Sequence, residues 1–591
     1  MIEKWKNNKL NNFNVENFLT YFIAVILSLL ILIWVLQLWK ADLKITFSYS
    51  GDGLSVSEFI KGMIDNNSIF LNKYVGAPGS LNLAETPMSD GIHILMVKFI
   101  GSIVKNYALT INIYYLLTFP LTTVCALYGF LKFKLNKALS VIASLLYTFL
   151  PYHIMRGENH LFLSGYFIVP IACAVILIIA RGDNFLKPSN NKKAYLWNGI
   201  KLMLLGVLIA SSGIYYAFFT CFFLLVIGAI NVLHNKKLKM FVMPMCIVAM
   251  IIFGGVINVA PSLIYNHYNG KNSAAINRSK VEAEIYGLKI AQMLLPETGH
   301  RIGFLAAEKE KYNALAPLAN ENDTASLGIV ISMGFLIGIF YLYTNKKDNF
   351  LAKISLLNLS AVLFATIGGF STLFAFLVTN MIRSYNRISV FIAYFSLFIL
   401  IYVVENFIKH KINIKKYKYL FCALGVLVLC LGILDQTSTK HIPDYAGNKT
   451  EFSNDEVFVK AIEKVEPAGT KIFQLPYVPY PESPSPNKMG YYDLFRPYLH
   501  SSDLIWSYGT MKGRENDSWQ KTVATLDIPS FLKEIYKKGF RGVYIDSFGY
   551  ENKEEYDRII KAVSQITGEN PVQSNNGRLF YISLSKYKQT N

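Results

Sequence analysis

Asp52 lies in Ser-Tyr-Ser-Gly-Asp-Gly-Leu, residues 48–54, a short way beyond the first strongly apolar segment at residues 19–39. That segment is long enough to cross a bilayer. A carboxylate just past it is hydrated and can take a proton from a substrate at the membrane surface. Flanking Gly51 and Gly53 would let the backbone turn and a bulky substrate approach. The same Gly-Asp-Gly is also the composition of a plain turn. Glu85 and Asp90 follow in the same stretch, with Asp90-Gly91 directly before an apolar run. A carboxyl at the entrance to an apolar cavity has a raised pKa and suits general-base work, so Asp52, Asp90 and Glu85 are the candidate catalytic groups.

The basic candidates lie elsewhere. Residues 151–160 read PYHIMRGENH, setting His153, Arg156, Glu158 and His160 between two apolar segments. Such residues either anchor a segment at the interface or recognise a phosphate or sugar, with Arg156 as the fork donor. His153 and His160 are seven apart, a weak spacing for metal, and are read as substrate-binding candidates. His300-Arg301 follows residues 286–295, which read as an amphipathic interfacial helix. In NMIRSYNR, residues 380–387, Arg383 and Arg387 are four apart. On a helix they would share a face and clamp a lipid-linked phosphate.

Composition fixes what must position these groups. The chain has 591 residues, 53% hydrophobic and 16% charged, the balance of a polytopic membrane protein. In a soluble chain the net charge of +19 would suggest nucleic acid. Here lysines collect in short loops between apolar segments, which is the positive-inside pattern, and no nucleic-acid partner is implied. Cys125, Cys173, Cys221, Cys246, Cys422 and Cys430 all fall in apolar segments. They read as packing residues, with neither metal spacing nor a disulfide framework. The N-terminal run is longer than a typical signal h-region and lacks a close small-residue cleavage site, so a retained signal anchor is expected.

About eleven spans are expected, at residues 19–39, 108–130, 138–152, 161–180, 196–210, 214–233, 240–263, 327–343, 354–370, 388–407 and 419–434. The 91–104 run is short and interrupted by Lys98, and reads as an interfacial helix. With Lys4, Lys6 and Lys9 in the cytoplasm, alternate loops carry Lys132, Lys134 and Lys137; Arg181, Lys187, Lys192 and Lys193; Lys236, Lys237 and Lys239; Lys346, Lys347 and Lys353; and Lys409, Lys411, Lys415 and Lys416. All of these land inside. The exterior then receives residues 40–107, 153–160, 264–326 and 380–387, and everything after 435. Arginines in exterior loops run against the usual charge bias, which favours a functional role for them.

The chain divides into a transmembrane region, 1–435, and a polar exterior tail, 436–591. The tail carries the Pro-rich stretch QLPYVPYPESPSP at 474–486. Strand-like runs at 471–475, 542–545 and 579–584, with helical runs at 531–538 and 553–566, predict a small α/β domain. It contains neither a Walker loop nor a dinucleotide fingerprint.

A first helix, an exterior loop with an acidic residue soon after it, interfacial helices, many further spans and an exterior C-terminal domain resemble the GT-C superfamily of membrane glycosyltransferases. The likeness is to bacterial relatives of the protein mannosyltransferase and aminoarabinose transferase group, including YfhO-like membrane proteins, and covers roughly residues 15–435. The resemblance implies a polytopic α-helical GT-C-like fold in a bacterial plasma membrane. It implies transfer of a sugar from a polyprenyl-phosphate carrier in the membrane lipid to a cell-envelope acceptor: a surface polysaccharide, teichoic acid or lipid. Asp52 stands where the family has its first-loop aspartate, as base or acceptor-positioning group. Many members have adjacent acidic residues there, where this chain has Gly-Asp-Gly. By the same analogy Arg156, Arg301, Arg383 and Arg387 would bind the donor phosphate; His153, His160 and His300 are substrate-binding candidates from their place in the exterior loops beside them. The expected chemistry is direct displacement with inversion at the anomeric carbon. Some oligosaccharyl-transferring members need a divalent metal and many relatives do not. The sequence offers no metal set, so a cofactor stays open.

Two other classes fit a polytopic chain. A transporter or flippase of lipid-linked saccharides would carry ionisable residues within its spans, which here are nearly free of charge. A non-catalytic envelope-assembly protein would not need Asp52.

Overall fold

The computed structural model describes residues 15–183, 191–318, 320–344, 349–411 and 418–588. Lys4, Lys6, Lys9, Lys187, Lys346, Lys347, Lys415 and Lys416 of the charge pattern lie outside the described residues. Among the described residues, eight helices are long and apolar enough to cross a membrane: Glu16–Val35, Tyr107–Lys132, Lys137–Arg156, Lys192–Ala210, Ile214–Asn235, Leu238–Asn269, Tyr385–Lys409 and Tyr419–Gln436. The chain is a multi-pass membrane protein with a small sheet domain at its C-terminal end.

The other three expected spans are shorter helices, Val169–Arg181, Ile329–Tyr341 and Asn349–Ala365. They have 13, 13 and 17 residues, below the ~20 that a perpendicular crossing needs. Local chemistry shortens them. Pro170 sets the start of the first. The last ends where Leu288 pairs with the backbone of Ala365 and Ile367. That pairing also draws out residues 286–289, so the expected helix over 286–295 is only Ile290–Leu294.

Three elements between the first two spans build the platform for the site. Helix α1, Val15–Val35, delivers the chain to a turn that opens α2, Asp52–Asn66. Strands β1 (Leu71–Asn72) and β2 (Leu81–Asn82) form a short antiparallel ribbon. Helix α3, Gly91–Val104, buries Ile94, Val97 and Gly101 while Leu95, Phe99 and Ile103 remain exposed in one stripe. Apolar residues at this four-residue spacing suit a helix lying against lipid.

The tail is a five-stranded sheet: β3 (Lys471–Leu475), β4 (Ile505–Trp506), β5 (Phe540–Asp546), β6 (Val572–Gln573) and β7 (Leu579–Ser583), in the order β4-β3-β5-β7-β6. The β3 pairings are parallel and those of β7 antiparallel. Alternation along the strands divides two cores. Phe473, Val543 and Phe580 pack with Phe531, Leu532, Ile535 and Val563 from helices Ile528–Lys537 and Lys553–Thr567. Ile472, Tyr544 and Tyr581 face the other way and join the core that continues into the spans.

The tail is bonded to the loop after α1. Trp506 donates its N–H to Tyr74 O at 2.8 Å, and Gly76 and Ala77 donate to Tyr508 O and Trp506 O at 2.8 and 3.1 Å. Buried Arg496 donates to Tyr49 O at 3.3 Å and pairs with Glu451, Asp455 and Asp493. Breaking this contact is costly because Arg496 and Asp455 would be left as uncompensated buried charges.

Candidate functional site

Gly51 has φ 53° and ψ −137°, a conformation open to glycine, and it starts α2 with Asp52 as the first helical residue. The helix N-terminus favours negative charge at that position. Gly53 is a glycine for a different reason. A Cβ there would lie 2.8 Å from Ser48 O and 3.0 Å from Asn159 Oδ1. The second glycine therefore admits the protein's own backbone, not the substrate the sequence suggested.

The 157–160 turn holds this loop from the other side. Asn159 Oδ1 accepts from Gly53 N–H at 3.0 Å and from Ser48 Oγ at 2.7 Å. Glu158 accepts from Ser48 N–H at 3.0 Å. Burial pushes the Glu158 carboxyl up to about 8, partly offset by the Ser48 and Phe47 backbone donors. His160 Nε2 lies 3.6 Å from Asp52 Oδ2. Burial first, then the Arg156 and Arg387 charges, lower His160 to about 4. It is neutral at pH 7, so the contact is a dipolar one and not an ion pair. The Asp52 carboxyl, 51% exposed, is raised above the ordinary carboxylate value. Desolvation is the main cause, Glu482 and Glu321 add to it, and Arg383 opposes it.

Glu321 organises the cations. Arg156 NH1 lies 2.8 Å and Arg387 NH2 3.6 Å from its Oε2. Burial alone would raise this carboxyl; the two guanidiniums outweigh it and hold it well below the usual range. Arg156 also donates to Thr324 Oγ1 at 3.2 Å. Arg387 lies over Tyr215, 4.2 Å from the ring centre. Both arginines are buried, and among the described residues neither Nε–H has a partner. A buried guanidinium with an unused donor is prepared for an anion.

Arg383 and Arg387 do not share a helical face. Residues 380–384 are irregular and Tyr385–Ile388 is a single 3-10 turn. Arg383 instead bonds Glu282 at 2.7 Å and lies over Tyr286, yet its charge still reaches Asp52. Asp90 joins from the N-terminus of α3. Burial raises its carboxyl to about 6, with the Arg387 charge opposing. A Cβ on Gly213 would lie 3.3 Å from its Oδ1.

Four sequence candidates lie apart from this cluster. Glu85 accepts from Arg514 and from Asn272 Nδ2, joining the tail to two loops. His153 is fully buried, bonded to Thr118 Oγ1 and Thr148 O and stacked 3.7 Å from Phe119. His300 faces Asp435 at 3.2 Å, and Arg301 donates to Thr437 O and lies over Trp34. Conversely, Glu321, Asn159, Glu482 and Tyr215 were not singled out in the sequence. Glu158 sits inside PYHIMRGENH, but nothing there signals a neutral carboxyl. Among the described residues no group of three or more His, Cys, Asp or Glu side chains is arranged to hold a metal ion.

No family model and no curated protein matches the chain. Solved structures do. Arabinofuranosyltransferase AftD from Mycobacteria aligns at TM-score 0.52 and 11% identity, over 97% of this chain and 40% of that one. ArnT from Cupriavidus metallidurans bound to undecaprenyl phosphate aligns at 0.49 and 11%, over 96% and 99%. The Archaeoglobus fulgidus oligosaccharyltransferase aligns at 0.42 and 12%, over 89% and 69%. The chain spans less than half of AftD, and these likenesses do not single out the YfhO-like relatives. The likeness to AftD shows that the chain shares the fold of that arabinofuranosyltransferase.

Proposed function

We propose that this protein is a membrane glycosyltransferase that moves a sugar from a polyprenyl-phosphate carrier to a cell-envelope acceptor on the outer face of a bacterial plasma membrane. One observation carries the reading: Asp52, raised and half-exposed, lies beside His160, which feels the charges of a buried arginine pair with unused donors. The fold shared with an arabinofuranosyltransferase supports it.

The residues suit a direct inverting displacement. The acceptor hydroxyl attacks the anomeric carbon, the bond from that carbon to the phosphate oxygen breaks, and Asp52 takes the hydroxyl proton. A raised carboxylate is a stronger base than a free one. Arg156 and Arg387, joined by Glu321, would receive the charge that develops on the departing phosphate. Arg383 extends the cationic side toward Asp52. Neutral His160 fills the space beside Asp52 without quenching its charge. Arg156 and Arg387 lie at the ends of spans and Asp52 beyond the first one, which favours transfer over the midplane binding of a transporter.

A deletion strain tests this. It should accumulate a polyprenyl-phosphate sugar that the wild-type gene clears. Asp52→Asn keeps size and polarity but is not a base at neutral pH. It should insert normally yet clear the donor at least about 100-fold more slowly. Wild-type clearance by the Asp52, Asp90 and Glu85 variants alike would overturn the reading.

A further inference from the structure

The Pro-rich stretch of the tail, which the sequence left without a role, folds against the mouth of the Asp52 site. Arg278, in the loop before Tyr286, donates both terminal nitrogens to Glu482 at 2.6 Å each. Tyr480 is buried close to Ser55 and Glu58 of α2, the helix that begins with Asp52. Its ring meets Tyr492 at 6.1 Å and Phe495 at 5.4 Å, both edge-on, and Phe495 packs on Tyr508 at 4.6 Å. The result is a shelf of aromatic rings beside the helix that presents Asp52.

Tyr492 is the shelf's unusual member. Its backbone is left-handed at φ 65°, a conformation that a bulky side chain rarely adopts. The turn is imposed from below. Asp493 accepts from Gly490 N–H at 2.7 Å and is pinned by Arg496 at 3.2 Å and Arg578 at 2.7 Å. A tyrosine held there against its preference, next to a candidate catalytic carboxylate, is the kind of outlier that accompanies a binding role. After burial, the Asp52 charge is what most raises its hydroxyl, to about 12. Adjacent Tyr491 is 54% exposed.

Charge divides the mouth in two. On one side Arg156 and Arg387 share Glu321 and Arg383 pairs with Glu282. The tail side offers ring faces and the Glu482 carboxylate, whose counter-ion Arg278 is already bonded to it. An anionic acceptor would be repelled by Asp52, and Glu482, already neutralised by Arg278, would offer it no attraction. A neutral polyhydroxylated ring would stack on an aromatic face and donate hydroxyls to a carboxylate.

We infer that the acceptor is an uncharged saccharide seated on Tyr492 at the tail side of Asp52, with Glu482 accepting from its hydroxyls. This rests on the transferase reading and assigns its acceptor class. The test uses the full chain in detergent, with retention on an array of neutral and anionic oligosaccharides and, separately, binding of undecaprenyl phosphate. Tyr492→Gly removes the ring while relaxing the left-handed backbone, so the turn should survive. It should weaken retention of neutral oligosaccharides roughly 10-fold, about one aromatic stacking contact, and leave undecaprenyl phosphate binding unchanged. Tyr492→Phe should retain them like wild type. Equal retention by Tyr492→Gly, a preference for anionic glycans, or no retention by a wild-type protein that binds undecaprenyl phosphate overturns the inference alone. A wild-type protein that does not bind undecaprenyl phosphate overturns the transferase reading and this inference with it.

Discussion

Asn159 Oδ1 accepts the Gly53 backbone N–H at 3.0 Å, so a side chain from the loop after one span fixes the first turn of the helix that begins with Asp52. The two residues are far apart in sequence, yet the orientation of the candidate base depends on their contact.

Asn159→Ala should therefore lower turnover while barely changing donor affinity. Loss of one neutral acceptor costs about 1 kcal/mol in stability, but misplacement of a reacting group costs more in rate. Asn159→Asp, which keeps the acceptor oxygen, should recover most of the turnover. If the alanine variant turns over at the wild-type rate, Asn159 does not position Asp52.

Glu321→Gln leaves Arg156 and Arg387, 2% and 7% exposed, without their shared counter-ion. Unpairing a buried charge typically costs ~3–5 kcal/mol, so the melting midpoint should drop clearly. Undecaprenyl phosphate should then stabilise the variant more than it stabilises wild type, because its phosphate would replace the lost charge. An unchanged melt, or equal stabilisation, would show that the arginines do not await an anion.

Glu158 and Glu58 give a pH dependence. Burial raises both to about 8, from an unperturbed 4.5. Each is protonated in the fold and ionised in the unfolded chain between these values, so folding takes up protons. The contribution is greatest at the acid end of the window and is lost as pH rises from about 4.5 to about 8. Apparent melting midpoints in detergent should fall across that range. Glu158→Gln should flatten the slope, and an identical slope in the variant would count against a buried neutral carboxyl.

The orientation can be tested in intact cells. Single cysteines at Lys192 and Ser485 should react with an impermeant maleimide only at Ser485, if the lysine-rich loops are inside. Labelling at Lys192 would invert the topology and move the Asp52 site to the cytoplasmic face.

Much of the membrane region was legible in the sequence because burial in lipid acts through composition alone. A run such as residues 19–39 must be helical, whatever its neighbours, since every backbone group has to be satisfied within the segment. The tail strands and helices were similarly visible, because residues 471–475 and 553–566 carry their own periodicity. Asp52, Asp90, His160, Arg156, Arg383 and Arg387 stood out as candidates because their residue types are out of place in a membrane chain. What the sequence does not contain is their partners. Whether Arg387 turns to Glu321 while Arg383 turns to Glu282 depends on a 3-10 turn and an irregular segment set by distant backbone contacts. Glu85 and His153 have the same chemistry as the candidate site residues, but packing gives them to Arg514 and to the Thr118–Thr148 pocket. The roles proposed for Glu321, Asn159 and Tyr492 come wholly from tertiary structure: a carboxylate, an amide and a phenol acquire meaning only from what folding brings within hydrogen-bonding or charge-coupling distance.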